Sequence, residues 1–190
     1  MQNSLSLHDI ISIIENGERR SKFSQIIAVD GPAGAGKTTL AKKIESALGY
    51  KSVHVIHMDN LYDGWENALT QTLTKTLELN IAKPVFEGKT SEYRKFSWIT
   101  MRFEELQRYN KPDLLILEGV GSGQKVVRKY LDQLIWIDIE SEIGLNRVLQ
   151  RDGDYLETEM RIWQMRESEH FKQDNTRDCA TIRVDGKQFI

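Results

Sequence analysis

One cysteine, three prolines and the lack of any long apolar run set the first limits on this 190-residue chain. Cys179 alone can neither close an intrachain disulfide nor supply a cysteine-rich zinc site, and its surroundings offer no activating base, so a buried thiol is expected. Three prolines and 13 glycines exclude collagen-like and proline-rich architectures. No apolar stretch approaches the roughly 18 residues that a membrane span takes. Asp9 and Glu15 interrupt the apolar N-terminal segment, so a signal peptide is not expected. Excess charge of one sign is missing as well. The 26 basic and 28 acidic residues leave a net −2, which gives no overall pull toward nucleic acid or an anionic membrane. The expectation is a cytoplasmic protein with neither as a partner. What is present, 39% hydrophobic and 28% charged residues, suits a globular core, and the length suits one domain over 1–190.

Apolar residues at Leu7, Ile10, Ile11 and Ile14 have helical spacing, ended by Asn16-Gly17, and make residues 1–22 an N-terminal helical extension. Four short apolar runs read as strands: Ile26–Val29, Val53–Met58, Leu114–Leu117 and Leu134–Ile137, with a weaker fifth over Thr181–Val184. Helical patterns fall at 38–48, 65–79, 98–109, 142–151 and about 154–171, and a polar, irregular stretch covers Lys83–Lys95. Strands alternating with helices predict an α/β fold, a three-layer doubly wound five-stranded parallel sheet.

Between the first strand and its helix stands Gly31-Pro32-Ala33-Gly34-Ala35-Gly36-Lys37-Thr38, followed by Thr39. This is the Gly-x4-Gly-Lys-Ser/Thr pattern, whose glycines let several backbone N–H groups face one anion at a helix N-terminus. In that pattern Lys37 contacts the β- and γ-phosphates and the Thr38 hydroxyl ligates magnesium. Average usage gives a chance match in under about 1% of chains this long. A nucleoside triphosphate, ATP with Mg2+, is the expected ligand.

Ligands of a doubly wound sheet sit beyond the carboxyl ends of its strands. Here those ends are acidic: Asp30, Asp59, Glu118 and Asp138. On position alone, Asp59 is either a proton acceptor for an attacking hydroxyl or a turn former. Arg147 and Arg151 are four apart and share a helical side, as two cations over phosphates or as a solvated stripe. The aromatic and basic segment containing Tyr93, Arg94 and Trp98, with Tyr62 and Trp65, reads either as an acceptor pocket or as packing.

Residues 27–41 resemble the phosphate loop of the uridine kinase-like branch of P-loop kinases. Asp59-Asn60-Leu61-Tyr62 resembles that family's Asp-x-Phe-Tyr segment, which implies that Asp59 is the catalytic base. Leu114–Gly119 is similar to its third strand, implying that Glu118 lies near the magnesium. Trp136-Ile137-Asp138 and Arg147-x3-Arg151-Asp152 resemble the fourth strand and the Arg-x3-Arg-Asp that enters the lid, which implies that residues of about 140–175 form a helical lid and its associated helices. The resemblance implies a kinase that moves the γ-phosphoryl group of ATP to a hydroxyl of a small metabolite, a nucleoside or related sugar-containing compound. The family's His-Pro segment after the aspartate is replaced by Asp63-Gly64-Trp65-Glu66-Asn67, so uridine itself does not follow. A nucleotide-sensing adaptor or regulatory ATPase is the alternative, and it needs no base at Asp59.

Asn110-Lys111-Pro112-Asp113 spells the guanine-reading motif of GTPases. It precedes its strand rather than following it, on the wrong edge of the sheet, and is expected to be a plain turn. His54 and His57 are expected on opposite faces of their strand, and His170 at the surface.

Overall fold

Runs of Ile, Val and Leu form strands where both faces can be covered, and in this chain that happens at the centre. The computed structural model describes residues 5–187. The chain runs α1 (Leu7–Asn16), β1 (Gln25–Asp30), α2 (Lys37–Leu48), β2 (Val53–His57), α3 (Gln71–Lys75), a π-helical stretch Thr76–Ala82, α4 (Lys83–Phe86), β3 (Ser91–Tyr93), β4 (Phe96–Ser97), β5 (Arg102–Phe103), β6 (Gln107–Tyr109), β7 (Leu114–Glu118), β8 (Gln133–Asp138), α5 (Ser141–Asp152), α6 (Glu157–Asp174), α7 (Thr176–Cys179) and β9 (Ile182–Asp185). Five strands form one sheet in the order β2-β7-β1-β8-β9. Every pairing in it is parallel. This is the doubly wound sheet that the alternation of strands and helices predicts.

Successive residues of a strand face opposite ways, and β1 shows the result directly. Ile26 and Ala28 pack on one side with Ile56, Leu115, Leu117 and Leu134, under the π-helical stretch and α6. Ile27 and Val29 pack on the other with Leu114, Ile116, Ile135 and Ile137, against Leu40 and Ile44 of α2 and Ile10 and Ile14 of α1. Each such aliphatic side chain, removed from water, contributes about 1.5–3 kcal/mol. The start of α1 is fixed by a capping box. The Ser6 hydroxyl accepts from the Asp9 N–H at 3.2 Å, and the Asp9 carboxylate accepts from the Ser6 N–H at 2.8 Å. Among the described residues no helix is long and apolar enough to cross a membrane.

Two helices predicted from periodicity fall elsewhere. The 98–109 stretch holds no helix; Phe96–Ser97 and Arg102–Phe103 pair antiparallel around a tip, and Gln107–Tyr109 pairs with Ser91–Tyr93. Apolar Ile99, Met101 and Phe103 alternate with polar Thr100 and Arg102, a period of two, and Met101 takes a left-handed φ of 51° at the turn. The helix expected over 65–79 begins only at Gln71 and runs on through Phe86, into the stretch expected to be irregular. Its wide π turns come immediately before Pro84, whose ring and missing N–H do not fit a regular helix interior.

Helix α5 approaches the phosphate loop where two glycines meet. A Cβ on Gly34 (φ +74°) would lie 2.1 Å from the Gly144 carbonyl oxygen, and one on Gly144 would lie 2.5 Å from the Ala33 carbonyl oxygen. Replacing Gly144 by alanine is expected to lower stability by about 1–3 kcal/mol, because backbone rather than a movable side chain blocks the added methyl. The check is a reduced urea midpoint at an unchanged m-value.

Candidate active site

The first βα connection curls into the expected loop, and α2 opens at Lys37. The Lys37 ammonium donates to the carbonyls of Gly31 and Pro32 at 2.8 and 2.7 Å, so it lies folded over the loop it belongs to. Asp30, at the end of β1, is fully buried and accepts from the N–H groups of Gly31, Gly121 and Gly123 at 2.8, 3.1 and 2.8 Å. It therefore staples the phosphate loop to the loop after β7. Burial pushes its carboxyl up to about 6, against the pull of those N–H groups and of Lys37.

Sheet register assembles the next group. His57 of β2 and Glu118 of β7 are Cα partners, so their side chains leave the same face. The imidazole Nδ1 contacts the Glu118 carboxylate. That hydrogen bond holds His57 above its usual titration range despite partial burial. The Thr38 hydroxyl donates to the same carboxylate at 3.1 Å. Thr38 and Glu118 thus present two hard oxygen donors at the foot of the loop.

Asp59 stands in the short 3-10 turn Met58–Asn60 after β2. Water reaches its carboxylate through the cavity, yet protein surrounds it on most sides. That surrounding mass pushes the carboxyl above its ordinary value; Lys37 and Arg151 oppose the rise, and the Glu118 charge adds to it. The Trp98 indole donates to the Asp59 carbonyl at 2.9 Å and pins the turn.

A cavity of about 650 Å3 joins these parts. Gly34, Gly36, Lys37, Thr38 and Thr39 form one end; Asp59 and Glu118 lie along the floor; Tyr62, Trp65, Trp98 and Trp163 make an aromatic wall; Arg147 and Arg151 come from α5. Tyr62 is 3% exposed and donates its hydroxyl to the Val120 carbonyl at 2.7 Å, so it offers the cavity a ring and not an acid. Arg147 donates to the carbonyls of Gly34 and Gly186 at 3.3 and 3.0 Å, tying α5 to the loop and to the end of β9. Arg151 forms a two-pronged pair with its neighbour Asp152, at 2.8 and 2.6 Å.

The remaining candidates are placed apart. Tyr93 and Arg94 line a separate cavity of about 250 Å3 with Thr72, Thr76 and Asn80. Tyr93 is buried there, hydrogen-bonded to His54 and stacked on Tyr109 with centroids 4.8 Å apart. Asp138 pairs with Arg177 beyond the opposite half of the sheet. The residues 110–113 form the turn before β7, in which Pro112 accepts from the Ser24 hydroxyl. Two expectations are corrected. Cys179 is exposed, because the short helix α7 leaves it at the rim rather than over the sheet. His170 is half-buried rather than lying out at the surface; its Nε2 is buried and has no hydrogen-bond partner among the described residues.

Two side chains were missed. Trp163 packs on Tyr62 and Trp65 with centroids 5.4 and 5.9 Å away. Glu167 is 3% exposed and accepts from the Ala33 N–H of the phosphate loop at 3.0 Å. The readable signal was the series Leu156, Met160, Trp163, Glu167, in which a carboxylate continues an apolar stripe at helical spacing.

The AAA-domain family matches residues 27–172. Uridine kinase-like protein 4 of Arabidopsis thaliana is 27% identical over 142 residues, covering 67% of this chain and 30% of that protein. The chain therefore spans less than a third of that relative's length. A uridine kinase of Clostridium botulinum is 28% identical over 149 residues, covering 67% of this chain and 68% of that one. Among solved structures, a possible uridine kinase from Bacillus stearothermophilus superposes with a TM-score of 0.69 at 16% identity, over 94% of this chain and 97% of that chain. That likeness concerns the fold. The family match runs from β1 through the phosphate loop, Asp59, Glu118 and both α5 arginines to the last turns of α6, well over half of the chain. With a parallel sheet of P-loop kinase type beneath it, the chain belongs to the AAA-domain family.

Proposed function

We propose that the chain is an ATP-dependent phosphotransferase that moves the γ-phosphoryl group to a hydroxyl of a small metabolite. The observation that carries this reading is the shared cavity. The phosphate loop, a carboxylate with raised proton affinity and an aromatic wall line one open cleft of about 650 Å3. Gly31 through Thr39 would cradle the triphosphate, and Lys37 would leave the loop carbonyls for its β- and γ-oxygens. Asp59 would accept the acceptor's hydroxyl proton; a carboxylate of raised proton affinity does so more readily than an ordinary one. Thr38 and Glu118 fit a magnesium ion, which takes oxygen donors and fills its shell from phosphates and water. When bound, that ion supplies charge neutralisation at the phosphates. Arg151 would turn from Asp152 to the transferring group, while Arg147 holds α5 on the loop.

Residues of about 140–175 act as lid in this reading, within a single domain. The relatives named as uridine kinases support a nucleoside or related sugar-containing acceptor, and Tyr62, Trp65 and Trp98 supply rings for such a molecule to stack on. The test is ADP formation from ATP and magnesium across nucleosides, sugars and vitamin-like alcohols. One acceptor class should raise the rate above the acceptor-free background. Tight ATP binding with no stimulation by any acceptor would instead support a nucleotide sensor.

A further inference from the structure

Helix α6 turns one side toward both loops at the carboxyl ends of the sheet. Trp163, Glu167, His170 and Asp174 follow at helical spacing along it. Asp174 accepts from the Lys125 N–H at 3.0 Å and pairs with Arg128, fixing the end of α6 to the segment after β7. His170 lies against Gly121 of that same segment. Glu167 reaches further, to the phosphate loop itself, where its two carboxylate oxygens lie 3.3 and 3.0 Å from the Ala33 nitrogen. A carboxylate this deep calls for partners. It has the Ala33 N–H, the Trp163 indole and the charge of Lys37, and is opposed by Asp30 of β1. Tyr62, after β2, faces it as well.

We propose that Glu167 is a positioning residue: it holds the Ala33 end of the phosphate loop to α6 and takes a proton from solvent when nucleotide phosphates engage Lys37. This rests on the ATP reading given above. Burial already pushes the Glu167 carboxyl up to about 7, so near neutrality it is part ionised. Phosphates bring negative charge close by and draw Lys37 away as counter-charge, and both changes favour the neutral acid. A neutral carboxyl keeps a carbonyl oxygen for the Ala33 N–H, so the strut survives the change. By linkage, ATP binds more weakly as pH rises through about 7, because more of the protein must then acquire the proton.

Calorimetric titration of the whole chain with ATP and magnesium, in two buffers of different ionisation heat, tests this. At about pH 7.5 the chain should take up roughly half a proton per ATP. Glu167→Gln keeps an acceptor for the Ala33 N–H but cannot titrate. It should abolish the uptake and flatten the pH dependence of the ATP dissociation constant above about pH 7. Uptake absent in the wild type, or undiminished in Glu167→Gln, would overturn the proposal. Should the variant fail to fold, the wild type decides alone. The uptake should be greatest above about pH 7 and fall as pH drops below it; uptake that instead grows toward pH 6, where Asp30 titrates, refutes the assignment. Failure to bind ATP at all overturns the nucleotide reading, whereas binding without proton uptake overturns only this inference.

Discussion

Asp59→Asn is expected to lower kcat by about 10²–10⁴-fold while the ATP dissociation constant changes by no more than a few-fold. The asparagine keeps the size of the side chain and the carbonyl that Trp98 holds, so the 3-10 turn has no reason to move. What is lost is the proton acceptor. Lys37, Thr38 and the loop amides, which would bind the nucleotide, are untouched. Acceptor-dependent ADP formation at saturating ATP reads the first quantity and calorimetric ATP binding reads the second. A variant as active as the wild type would remove Asp59 from the chemistry. The wild-type pH profile carries the same information. The base works ionised, so the rate should fall on acidification, along a limb displaced above the ordinary aspartate value of 3.8 by the protein packed around Asp59.

Lys37→Met should cost about 10²–10³-fold in kcat/KM for ATP, in the range found when a single charge-stabilising donor is removed from a transition state. Two effects add. The phosphates lose their ammonium, and Asp30, Asp59 and Glu167 lose the positive charge that lowers the proton affinity of each. The substitution also leaves the carbonyls of Gly31 and Pro32 without their donor. Circular dichroism and the urea midpoint should show a folded protein. If ATP still bound with wild-type affinity, the loop would not be a triphosphate site.

The parallel sheet was legible because its strands are continuous apolar runs bounded by loops, and the phosphate loop because its residues are individually indispensable to one anion. Asp59, Glu118, Arg147 and Arg151 could be placed by strand ends and helical spacing, and all four line the cavity. What escaped reading depends on contacts between segments distant in sequence. Ile99, Met101 and Phe103 fitted a helix only if their alternation was overlooked, and nothing local announced the pairing of Phe96 with Phe103. Tyr93 lies in an aromatic pair of strands, with Arg94 just past its end, and both line a separate cavity, a position that sequence order alone does not separate from the aromatic wall. Glu167 was invisible as a partner of Ala33 because the two stand 134 positions apart in the chain.

The paired glycines Gly34 and Gly144 have a mechanical consequence. With backbone resting on backbone at that contact, and Arg147 bonded to Gly34 and Gly186 across it, α5 and the phosphate loop move as one piece. The chain bends past the end of α5 at Gly153, whose φ of 112° precedes α6. Glu167 ties α6 to the same loop at Ala33. The lid residues can therefore close only by carrying the phosphate loop with them or by breaking one of these contacts, so the cationic field of the two arginines stays coupled to the loop in either case.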